Sequence, residues 1–134
     1  MKNAFLIFLS ISLLLSACNG HGAAGPVQLD NGKRWQANPE TTAGIAEMQA
    51  ILVRYEGKTS DAAGRQSLRQ ELEVAFQDIF KQCTMKGEAH NQLHNYLAPM
   101  NPLFERIDGA IAADSEAAIQ QLKEHLAEYA TYFE

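Results

Sequence analysis

The sequence predicts an all-α protein, an antiparallel up-down four-helix bundle, and three observations carry that prediction. Apolar side chains recur at spacings of three and four in separate stretches, as they do on one face of a helix. Proline and glycine fall between those stretches, and cap residues open them. No stretch keeps a period-two alternation, and the Asn31-Gly32 dipeptide precedes the helices with no strand partner.

The first helix opens at Asn38-Pro39-Glu40, which offers a cap residue, a proline at the first position and an acid in the first turn. Its stripe is Ile45, Met48, Leu52 and Tyr55, and Gly57 stops it. Thr59-Ser60-Asp61 caps the second helix, whose stripe is Leu68, Leu72, Ala75 with Phe76, Ile79 and then Cys83. Lys86-Gly87 marks its end, with Gly87 at the left-handed cap position. The third helix carries His90, Leu93, Leu97, Phe104, Ile107 and Ile111, and Pro99 and Pro102 should kink or split it near Ala98. Asp114-Ser115-Glu116 caps the fourth, with Ile119, Leu122, Leu126, Tyr129 and Phe133 facing the core. Short connections between amphipathic helices imply antiparallel neighbours. Burying each Leu or Ile of these stripes stabilises such a bundle by roughly 1.5–3 kcal/mol.

Ahead of the helices the chain reads as a targeting segment. Met1-Lys2-Asn3 is followed by an apolar run from Ala4 to Leu15, broken only by Ser10 and Ser12. That length suits a signal peptide and falls short of the roughly 20 residues of a spanning helix. The run ends Leu15-Ser16-Ala17-Cys18, which resembles the lipobox of bacterial lipoproteins. The resemblance implies a signal peptide over residues 1–17, cleavage before Cys18, and acylation of Cys18 with palmitate-type chains. It also implies a cell-envelope location. Asn19, where an inner-membrane retention signal has Asp, points to the outer membrane, with the domain facing the periplasm. Residues 18–34 are then a lipidated N-terminus and a Gly-rich flexible tether, and residues 35–134 are one four-helix domain. His21 reads as a solvated tether residue.

The chain holds 11 Lys and Arg against 16 Asp and Glu, a net charge of −5. Loss of Lys2 with the signal peptide would take it to −6. That balance excludes nucleic acid and a polybasic membrane patch. The expected partners are the membrane, through lipid alone, a metal ion and another envelope protein. No Gly-x-Ser-x-Gly, P-loop or dinucleotide fingerprint is present, and a small bundle offers a Cys–His pair little cleft for a substrate, so the chain reads as no enzyme.

The residues that carry chemistry lie between Cys83 and His94. Cys83, Met85, His90 and His94 combine a thiol, a thioether and two imidazoles, the ligand types of soft or borderline metals. His90 and His94 are four apart and share a helix face, while Cys83 ends the apolar stripe of the second helix. All should therefore meet at one end of the bundle. With Cys18 acylated, Cys83 has no disulfide partner in its own chain, an unusual state in an oxidising compartment. The two histidines have zincin spacing, but Asn91 stands where a protease needs Glu. Copper is favoured by ligand softness. Zinc is the second choice, through Cys83, His90 and His94 with water or Glu88. Non-covalent haem, which needs a facing ligand such as Met48, Met85 or His125, is the third. Taken singly, Cys83 is a small hydrophobe, Met85 a gap filler, His90 a core histidine and His94 a solvated one. Trp35, Tyr129, Tyr132 and Phe133 should cap the core at the same end, and His125 reads as a boundary residue. The segment also resembles small envelope lipoproteins bearing Cys-x-Met-x-Gly-x-x-His-x-x-x-His, which implies neither an activity nor residue roles. The metal-free alternative is a helical interaction or structural module of the envelope.

Overall fold

In the computed structural model, Asn38 opens the first helix in extended conformation, and α1 runs Pro39–Arg54. The structure describes residues 24–134; the signal peptide, Cys18 and His21 expected from the sequence lie outside the described residues. Tyr55 ends α1 and Gly57 follows with φ +73°. Asp61 caps α2, Ala62–Gln82, its carboxylate accepting the Gly64 N–H at 2.7 Å. Then come α3, Gly87–Leu97, and α4, Met100–Ile107, separated by Ala98-Pro99. Pro102 sits in the first turn of α4, where its missing N–H costs nothing. A 16-residue α5, Ala112–Ala127, and a single turn, α6, Tyr129–Tyr132, complete the described chain. All regular structure among the described residues is helical, and no described helix is long and apolar enough to cross a membrane.

α1 packs along α2, α4 along α5, α2 on α4 and α1 on α5. Between them lies one core that includes Met48, Leu72, Tyr96, Met100, Ile107 and Leu122, all without solvent exposure. Gly44 lets α1 approach α2, for a β-carbon there would stand 2.4 Å from the Ile79 side chain.

Four local expectations are corrected. α2 stops at Gln82, so Cys83 is not in its last turn but just beyond, in extended conformation. The cause is tertiary: Asn38 Nδ2 donates to the Gln82 carbonyl at 3.1 Å, and the Thr84 N–H donates to Asn38 Oδ1 at 3.4 Å. Gly87 does adopt a left-handed φ of +62°, but as the first residue of α3 rather than the cap of α2. Finally, α5 starts at Ala112, ahead of the expected Asp114-Ser115-Glu116 cap. Ser115 is instead buried with its hydroxyl donating to the Ile107 carbonyl, and Asp114 pairs with Arg106 at 2.6 Å. Ile111, assigned to the core from its spacing, is 69% exposed at that connection.

Residues 24–37, most of them read as tether, are bonded to the helical body. Gly25 N–H donates to Asn95 Oδ1 and Gln28 N–H to Gln92 Oε1. Trp35 N–H donates to the Tyr132 carbonyl, Glu134 N–H to the Trp35 carbonyl, and Ala37 N–H to the Glu134 carbonyl. Arg34 forms an ion pair with Glu134.

Candidate functional site

Two tertiary decisions position the chemistry-bearing segment. Asn38 holds the backbone on both sides of Cys83, and the same Oδ1 accepts the hydroxyl of buried Thr41 at 2.7 Å. One asparagine thus ties the start of α1 to the α2–α3 connection. Gly87 then turns the chain into α3, whose first two turns carry His90 and His94.

Cys83 is half-buried against the core, His90 is half-buried and His94 is exposed. The Cys83 Sγ lies 3.6 Å from His90 Nδ1. On the far side of that ring, His90 Nε2 lies 3.0 Å from His94 Nε2, with the two rings at 72°. A contact between two imidazole nitrogens this short needs one donor and one acceptor. His90 satisfies both neighbours either by donating from Nε2 to His94 and accepting the thiol proton at Nδ1, or by the reverse. The three side chains therefore form a file, Cys83–His90–His94. Burial, and secondarily the charge His90 can carry, push the His94 imidazole below its ordinary value. Phe80 flanks His94 at 5.4 Å between ring centroids and is itself 41% exposed.

This geometry departs from the ligand set expected for one ion. His90 presents different nitrogens to Cys83 and to His94, so the three do not converge on one point as they stand. Among the described residues, no group of three or more Cys, His, Asp or Glu side chains is arranged to hold a metal ion. Glu88, the candidate extra carboxylate, is turned to its own helix. Its two oxygens accept the amides of Asn91 and Gln92, which hold its carboxyl below the usual range. Met85 lies in the connection, half-buried against the core.

Two of the facing residues considered for haem, Met48 and His125, are engaged elsewhere. Met48 is fully buried among apolar side chains. His125 Nε2 donates to the Tyr96 carbonyl at 2.7 Å, while the Tyr96 hydroxyl donates to the His125 carbonyl at 2.9 Å. The two rings stack at 4.6 Å. This reciprocal clamp joins α3 to α5, and burial pushes the Tyr96 phenol strongly upward. Spacing had passed over Tyr96 in favour of Leu93 and Leu97; its position three residues after Leu93 was the available signal. Tyr129 and Phe133 pack on Tyr96, and the Tyr129 hydroxyl meets Thr42 at 3.0 Å.

Comparison with known proteins finds no matching protein-family model, no matching curated protein and no matching solved structure.

Proposed function

We propose that the chain is a lipid-anchored, periplasm-facing envelope protein whose antiparallel up-down four-helix domain binds copper, as Cu(I), between Cys83 and His90. The packing of α1 on α2, α2 on α4, α4 on α5 and α5 on α1 supports the bundle, with α3 and α4 as halves of its third arm. The lipobox sequence supports the anchor.

One observation carries the metal reading. The sulfur–nitrogen separation of 3.6 Å between Cys83 and His90 is a separation one ion can bridge. Metal–sulfur and metal–nitrogen bonds of about 2.3 and 2.0 Å give an S···N edge of about 3.5 Å at tetrahedral angles. Thiolate and thioether ligands select Cu(I), and the bent angle leaves room for the Met85 thioether as a third ligand beside Cys83 and His90. His94 then leaves the ligand set and acquires another role. It accepts the Nε2–H of His90 and fixes which nitrogen faces the sulfur, as outer partners of metal-bound histidines do. A site of this kind serves metal handling or electron transfer.

Anaerobic titration of the purified protein with Cu(I), in competition with a chromophoric chelator, tests this reading. Cys83→Ala and His90→Ala should abolish competition, and His94→Gln should weaken binding about 10–100-fold. Equal retention of Cu(I) by the wild type and both alanine variants would overturn it. A metal-free docking module is the second reading, favoured by the groove between α1 and α2 described next.

A further inference from the structure

The structure assigns a docking groove between α1 and α2 to a basic amphipathic helix of a partner protein. This surface runs up to Glu40 and Gln82 beside the Cys83 corner, but it does not depend on any metal. Its main hollow, of about 490 Å³, has Val74 exposed on its lining and Ile51 and Ala75 buried beneath. A second hollow of about 240 Å³ continues it toward Ile79 and shares Glu47, Ala75 and Asp78 with the first. Val74 is 59% exposed there, a β-branched apolar side chain on the solvent face of a long helix.

Charge selects the occupant. Four carboxylates line the combined groove, Glu40, Glu47, Glu71 and Asp78, against one lining cation, Arg54. Arg54 is shared, at 3.3 Å from Glu47 and 2.6 Å from Glu71, and Lys81 reaches Asp78 from the rim at 2.8 Å. Lys58 also acts on Glu71, so four negative and three positive charges leave a surplus of one negative beside exposed Val74. The same face of a second copy would bring like charges together, which disfavours self-association through it. A helix with a short apolar ridge flanked by lysines or arginines meets both demands, laying its ridge on Val74 and Ala75 and its cations on Glu47 and Asp78.

Two fluorescent peptides with the same leucine periodicity, one carrying lysines and one glutamates, test the assignment by anisotropy against the purified protein. The lysine peptide should bind, with affinity falling as salt rises, and the glutamate peptide should not. Val74→Arg and Glu47→Lys should each weaken binding by about tenfold or more, while Glu116→Lys on α5 stays within about twofold. Circular dichroism confirms that each variant folds. Equal effects of groove and control variants, equal binding of both peptides, or no binding at about 100 μM would overturn the assignment. So would a concentration-dependent dimer that Val74→Arg dissolves.

Discussion

His125 of α5, bonded near the C-terminal end of α3, and His90, near its N-terminal end, are used in opposite ways. His125, reached from the C-terminal end through Tyr96, spends its Nε2 on a backbone carbonyl and stacks on a buried ring. His90, at the N-terminal end, spends both nitrogens on other side chains, one a thiol and one an exposed imidazole. Backbone carbonyls cannot leave, so the first arrangement is a clamp. Side chains can exchange partners, so the second can rearrange. The contrast teaches that residue type alone does not mark a site; what its hydrogen bonds are anchored to does.

Mutation can break the comparison at its clamp end first. Tyr96→Ala empties a fully buried ring position and should cost about 3–5 kcal/mol in urea unfolding, with a midpoint shift large enough to leave the fold marginal. His125→Ala leaves the Tyr96 carbonyl without its donor and should cost about 1–3 kcal/mol. Tyr96→Phe keeps the ring and removes only the bond to the His125 carbonyl, for about 0.5–1.5 kcal/mol. At the open end, His94→Gln should change stability by no more than about 0.5 kcal/mol at pH 7.5, because the side chain is exposed. A larger loss there than in His125→Ala would erase the distinction between the two ends.

Acid sharpens the same contrast. Folding lowers the His94 value, so between that value and 6.5 the unfolded chain binds more protons than the folded one. Stability from this group is complete above about pH 6.5 and declines as the pH falls below it. His94→Gln should remove that part of the decline. Urea midpoints of both proteins between pH 7.5 and 5 measure the difference; parallel curves would show that His94 does not contribute.

Much of the helical framework was legible because helix signals are local. Pro39, Gly57, Asp61 and Pro99 each fixed a boundary through its own backbone chemistry. Misplaced boundaries had long-range causes. Nothing near Gln82 announces that Asn38, 44 residues earlier, takes its carbonyl. Ile111 fitted a helical spacing, but α4 had already ended at Ile107. At the site, the His90–His94 contact follows from spacing four, and Cys83 lies near because the connection is short. Which ring nitrogen faces which partner depends on a side-chain rotation set by the fold, and no spacing encodes it. The docking of residues 24–37 was hidden by composition, since a Gly-rich polar segment reads as unbound until its backbone partners are known.

The seam between Trp35, Ala37 and the final residues has a kinetic consequence. Its bonds join positions separated by nearly the whole described chain, with Gln36 and Glu134 lying 98 apart. Helices close their own turns within microseconds, whereas this seam must wait for both ends to meet. It is therefore expected to form late in folding and to open ahead of the core under native conditions. The amide protons of Trp35, Ala37 and Glu134 should exchange with deuterium well before those of Leu72 or Leu122, so the molecule loosens at its stitching while its core stays shut.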